Sequence, residues 1–74
     1  MSKISRAFGA IIRRRRELVG ISQEKLAELA DIHRTYVSSI ELGKVTVGIG
    51  VCYKIAKALN IPLSKIIQEV ERKL

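Results

Sequence analysis

Seventy-four residues carry fourteen lysines and arginines against seven aspartates and glutamates, a net charge of +7 with an isoelectric point near 10.1. A chain of this length supports one domain around one modest core. The single cysteine, Cys52, excludes an internal disulfide, one histidine beside it excludes a Cys/His zinc site, and no apolar stretch reaches membrane-spanning length.

The positive excess points to a polyanionic partner, nucleic acid first, although a basic surface that merely keeps the chain soluble would look the same. Hydrophobic residues make up 47% of the chain, and only Phe8, Tyr36 and Tyr53 are aromatic, so an aliphatic core is expected. The segment "AFGAII" is followed at once by "RRRR". It is too short for a signal sequence and lacks a cleavage site, which predicts a cytoplasmic protein.

Apolar residues recur at helical spacing throughout, and no segment alternates long enough to be a strand. An all-α chain of five helices is therefore predicted. The first runs from about Ile4 to Leu18, with Phe8, Ile11, Ile12 and Arg15 on one side and Gly20 just past its end. Arg13 to Arg16 looks like a nucleic-acid patch. At 100° per residue, however, four consecutive side chains point around almost the whole helix, so at most two can face one partner. A solvated helix end whose cations suit the C-terminal dipole is the simpler reading.

The second helix, "SQEKLAELA", opens on Ser22, a strong N-cap. Leu26, Ala27, Leu29 and Ala30 form its predicted apolar face, and the two alanines let another helix come close. The turn "DIH" follows, with Asp31 suited to a left-handed conformation and Ile32 to plugging the turn into the core. The third helix spans about Arg34 to Leu42 and stops at Gly43. The fourth spans about Ile49 to Asn60, with Ile49, Cys52, Tyr53, Ile55, Ala56 and Leu59 expected inside. Cys52 reads as a core thiol rather than a redox sensor. The fifth, about Leu63 to Lys73, opens at Pro62.

On the third helix, Arg34, Thr35, Ser38 and Ser39 share an arc of about 140°, while Val37 and Ile40 point the opposite way and Tyr36 lies on the flank. One edge anchors the helix. The other offers a guanidinium and three hydroxyls, groups that suit base edges and phosphates. Such a face is common on its own. A capped helix with paired alanines, a three-residue turn and then this helix is more specific: it is the spacing of a helix-turn-helix.

At this point "SQEKLAELADIHRTYVSSIELGK" resembles the XRE, or Cro/lambda-repressor-type, helix-turn-helix family. The likeness extends through "IIRRRRELVGISQ" and "YKIAKALNIPLSKI", covering about residues 6 to 67. Within the family the chain is most similar to restriction–modification controller proteins, small dimeric regulators acting on their own promoter and on the endonuclease gene. The resemblance implies a compact five-helix lambda-repressor-like domain over residues 1–74, with the helix-turn-helix at about 22–42 and a dimerisation helix at about 63–74. It implies base reading by Arg34, Thr35, Ser38 and Ser39, and contacts to DNA backbone or groove edge by Gln23, His33, Tyr36, Lys44 and Thr46. It also implies a structural ion pair between Arg16 and Glu41. The chain departs from the family's pattern at Asp31, where glycine is usual, at His33, where Ser or Thr usually caps, and in "VTVGIG", which lacks an Asn-Pro-Ser.

On the fifth helix Leu63, Ile66, Ile67, Val70 and Leu74 form a stripe about 100° wide. Leu63 and Ile66 suit closure of the core, and Val70 and Leu74 lie where little core should remain. The residues expected at a homodimer interface are Ile66, Ile67, Val70 and Leu74. A two-fold dimer would space its reading helices about 34 Å apart and require a palindromic double-stranded operator.

The other readings are a phage-type repressor, an antitoxin-like protein-interaction module, an RNA binder and an enzyme. The antitoxin reading expects a long disordered tail with apolar anchors, and a fifth helix running to within a residue or so of Leu74 argues against it. RNA modules use sheet aromatics or a GXXG loop, which are missing. No catalytic residue, metal ligand or cofactor site is expected. His33 has no nucleophile or carboxylate near it in sequence, and Gly48 and Gly50 make no phosphate cradle. A small-molecule ligand is not expected either.

Overall fold

The computed structural model describes residues 2–74. Five helices follow one another: α1 (Lys3–Val19), α2 (Gln23–Ala30), α3 (Arg34–Glu41), α4 (Ile49–Ala58) and α5 (Leu63–Lys73). No strand occurs among the described residues, and none of their helices is long and apolar enough to cross a membrane. Two serines open the first helices. Ser2 Oγ accepts from the Ser5 N–H at 3.1 Å, and Ser22 Oγ accepts from the Lys25 N–H at 3.0 Å, each satisfying a donor that the helix leaves free.

Four helix ends close in the same way. Gly20, Asp31, Gly43 and Asn60 all take positive φ. The residue after each donates its N–H to a carbonyl five positions back: Ile21 to Arg16, Ile32 to Ala27, Lys44 to Ser39 and Ile61 to Ala56. This closure usually carries an apolar residue just after the left-handed one, folded back onto the helix. Ile21, Ile32 and Ile61 follow that rule and pack on the core. Lys44 breaks it and stands in solvent. Asn60 also shortens the fourth helix, which ends at Ala58 rather than Asn60.

Every helix sends side chains to the common core. Ile12, Leu26, Val37, Ile40, Ile55, Ile66 and Val70 are its largest fully buried members. α1 packs on α3 and α5, α2 on α3 and α4, and α4 on α5. The buried arcs are narrower than the apolar pattern. Leu29, Ile49 and Tyr53, expected inside, are 50%, 74% and 58% exposed. Leu29 lies about 110° from the centre of the Leu26–Ala27–Ala30 face, and Ile49 and Tyr53 flank the Cys52–Ile55–Ala56–Leu59 face of α4.

Gly9 decides how closely α1 and α3 cross. A Cβ there would lie 2.1 Å from the Ile40 carbonyl oxygen and 2.9 Å from that of Glu41. Only a bare α-carbon lets the two backbones meet.

Candidate nucleic-acid interface

α3 is held from beneath by Val37 and Ile40, each 1% exposed. Its opposite side is open: Arg34 and Thr35 are exposed, and Ser38, Ser39 and Tyr36 are half-buried. The four candidate base readers thus share one face, and Tyr36 sits at its edge against the core. Asp31, at φ 56° and ψ 49°, makes the turn that sets α3 across α2. His33 occupies the N-cap position of α3 with no side-chain cap bond, leaving its imidazole exposed at the start of that face.

The far end of α3 is fixed by Glu41. Its carboxylate accepts from Arg16 Nε at 2.7 Å, Arg16 Nη2 at 3.1 Å and Gln23 Nε2 at 3.0 Å. Arg16 Nη1 donates to the Ile21 carbonyl at 2.8 Å. One buried carboxylate therefore ties α1, the α1–α2 turn, the first residue of α2 and the last residue of α3. The bonds to Glu41 hold the guanidinium above its ordinary pKa, so it is charged at every working pH.

Gln23 takes on a bond that the sequence does not announce. Its amide, expected at a DNA phosphate, spends one N–H on Glu41 and keeps one N–H and its carbonyl for other partners. A glutamine three residues before an apolar pair carries no signal for this inward bond. It becomes visible only once Arg16 brings Glu41 alongside.

Past α3, Lys44 and Thr46 point outward while Val45 and Val47 are half-buried and packed on the core. In-out alternation thus gives "VTVGIG" its path. Neither Arg34 nor Lys44 has an ion-pair partner among the described residues. Arg15 is occupied on the other side of α1. Its guanidinium makes a bidentate contact with Glu69 of α5, one arm at 3.1 Å and the other shorter. Within the run of four arginines, two are thus engaged between helices. Arg13 reaches Glu17 at 3.3 Å on the surface, and Arg14 is exposed.

The expected interface residues of α5 divide. Ile66 and Val70 are 0% and 1% exposed, sealed inside their own chain, so their side chains offer nothing to a partner. α5 packs along α1, which carries core further toward the C-terminus than the sequence suggested. Ile67 and Leu74 do remain at the surface, on a groove of about 370 Å³ whose rim also includes Ile4 and Ile49, with Phe8 and Cys52 at its floor. Burial pushes the Cys52 thiol above its ordinary pKa, in keeping with a core thiol.

Comparison with known proteins decides the family. Residues 12–66 match a helix-turn-helix family model. The chain belongs to the XRE-type helix-turn-helix family. Control protein C.MunI of Mycoplasma sp. is 38% identical over 73 residues, spanning 97% of this chain and 99% of that protein. Control protein C.BamHI of Bacillus amyloliquefaciens is 46% identical over 55 residues, 73% of this chain and 68% of that one. The crystal structure of the restriction–modification controller protein C.AhdI from Aeromonas hydrophila superposes with a TM-score of 0.82 at 35% identity, covering 84% of this chain and 94% of that one. The family match takes in all of α2, the turn and α3, so the polar face of α3 is the outer face of a helix-turn-helix.

Proposed function

We propose that this protein is a sequence-specific DNA-binding regulator of transcription, a restriction–modification controller acting in the cytoplasm on its own promoter and on that of an endonuclease gene. The observation that carries this reading is the open face of α3, with Arg34, Thr35, Ser38 and Ser39 outward over a floor of Val37 and Ile40. Arg34 reads guanine, Thr35 offers a hydroxyl and a methyl, and the serines reach base or sugar edges. Lys44, Thr46, His33 and the free N–H of Gln23 hold the sugar-phosphate backbone, with Tyr36 at the groove edge. The likeness to control proteins along almost the whole chain supports the restriction–modification setting.

The active species in this reading is a homodimer formed across the groove edged by Ile4, Ile49, Ile67 and Leu74, an apolar surface of the kind that partners cover. Its two-fold axis spaces the α3 helices about one DNA turn apart, roughly 34 Å, and demands a palindromic operator.

Fluorescence anisotropy on DNA from upstream of its own gene tests the reading. The protein should bind one palindromic site at least about 10³-fold more tightly than scrambled DNA at physiological salt. Equal affinity for both would remove the regulator assignment. Sedimentation should give a dimer that Ile49→Glu splits; a monomeric wild type at binding concentrations would remove the two-fold model.

A further inference from the structure

The start of α1 packs beside the end of α3, and that contact singles out Arg6. Gly43 stands at φ 72°. A Cβ built on it would lie 2.7 Å from Arg6 Cγ and 2.8 Å from Arg6 Cα. The aliphatic stem of Arg6 thus crosses Gly43 in the space that a side chain there would need. Arg6 is exposed, and it takes part in no ion pair or side-chain hydrogen bond among the described residues. Lys44, the next residue in the chain, is equally exposed and unpaired, so two free cations flank the end of α3. Lys3, three positions before Arg6 and on the same stripe of α1, lengthens the row.

Nothing local uses these charges. The carbonyls at the end of α3 already accept from backbone N–H groups: Ser38 from Leu42, Ser39 from Lys44 and Ile40 from Gly43. The one carboxylate at that end, Glu41, is engaged by Arg16 and Gln23. Two unneutralised cations beside the end of a recognition helix suit an external anion with closely spaced charges.

We propose that Arg6 is a DNA-phosphate contact acting beside Lys44, and that the bare α-carbon of Gly43 lets its stem cross the end of α3 to reach the backbone. The proposal rests on the operator-binding reading above and assigns α1 a direct part in it.

The test uses the full chain and three variants. Arg6→Met keeps the stem over Gly43 and removes the charge; Arg6→Lys keeps a charge. Arg14→Met is the charge-matched control, about 12 Å further along α1 and on the side of that helix shared with Glu69 and Arg72 of α5. Anisotropy is measured on the upstream duplex and on a scrambled duplex between about 50 and 200 mM KCl. Arg6→Met should make the slope of log affinity against log salt shallower by about 0.9, so that its loss of affinity is roughly 3.5-fold larger at the low end of that range than at the high end. The loss should be alike on both duplexes, Arg6→Lys should restore most of the slope, and thermal unfolding should match wild type. Arg14→Met should leave the slope almost unchanged. Should Arg6→Met do no more than Arg14→Met while the wild type binds its site, Arg6 is no phosphate contact and the operator reading stands. A wild type that fails to bind duplex DNA removes both.

Discussion

Glu41 is the residue whose loss should cost this fold most for the fewest atoms. Its side chain is 3% exposed and that of Arg16 12%, and the carboxylate accepts three hydrogen bonds from two side chains. Glu41→Ala removes every acceptor but the Ile21 carbonyl from a guanidinium that cannot shed its charge. Breaking a buried pair from one side costs about 3–5 kcal/mol, because the remaining ion stays desolvated without compensation. A chain of this size has a total stability of roughly 4–11 kcal/mol, so the loss is about a quarter of it or more. With about 4–8 °C of melting temperature per kcal/mol in a domain this small, Tm should fall by at least about 12 °C. Thermal and urea unfolding followed by circular dichroism measure this. The double change Arg16→Met with Glu41→Leu should recover at least half of the loss, since an apolar pair of similar volume removes the stranded charge. A cost below about 1 kcal/mol for Glu41→Ala, the range of exposed pairs, would refute the argument by showing that Arg16 is hydrated.

Four further outcomes are expected. Gly9→Ala pushes a methyl group to 2.1 Å from the Ile40 carbonyl oxygen, so α1 must shift; urea midpoints should report a loss of about 1–3 kcal/mol. Arg34→Ala should weaken binding to the preferred site by about 1–3 kcal/mol and relax preference at one base pair of each half-site in an anisotropy series over substituted duplexes. Arg15, through its hydrogen bonds, holds the Glu69 carboxyl below its ordinary 4.5. A folded pKa below the unfolded one stabilises the fold fully above the unfolded value, and that stability drains as pH falls through the folded one. The margin of wild type over Glu69→Gln in urea should therefore be complete near about pH 6 and shrink toward about pH 3, rather than grow. Finally, Val70→Ala should destabilise the monomer itself by about 1–3 kcal/mol without a specific effect on association, whereas Ile49→Glu should leave unfolding nearly unchanged at dilution and abolish any dimer seen by sedimentation.

The order of elements, the Ser22 cap, the ends marked by Gly20, Asp31 and Gly43 and the outward face of α3 are legible because each rests on local rules, whereas the Ser2 cap and the Asn60 closure are not announced by the apolar pattern. Ser22, Gly20, Gly43 and Pro62 punctuate helices by their own backbone and side-chain chemistry. The opposition of Arg34, Thr35 and Ser38 to Val37 and Ile40 is plain periodicity. The places where the reading slipped depend on what lies across from a residue. By chain order alone Val70 reads as a surface residue, because nothing in that order says that α1 runs alongside it to the end. Ile49 and Tyr53 read as core because the apolar pattern on α4 marks a face about 160° wide, whereas the buried residues cover an arc of only about 100°. Gly9 passed without notice. A glycine inside a good helix costs helix propensity, and that cost was the one available sign that another backbone passes close by.

α3 itself shows how the division of labour works. It has eight residues, with Thr35, Tyr36, Val37, Ser38, Ser39 and Ile40 in succession. None of those types is a strong helix former, and an isolated helix of this length would not persist in water. Its conformation is therefore imposed from outside. The Asp31 turn fixes its start, Val37 and Ile40 fix its floor, Gly9 fixes its distance from α1, and the Glu41 bonds with the Gly43 closure fix its end. Because those positions hold the helix, the outward ones are free of any duty to stabilise it. Arg34, Thr35, Ser38 and Ser39 can be chosen for what they touch alone. A change there should alter recognition while leaving folding almost untouched, whereas a change at Gly9, Val37 or Glu41 should do the reverse.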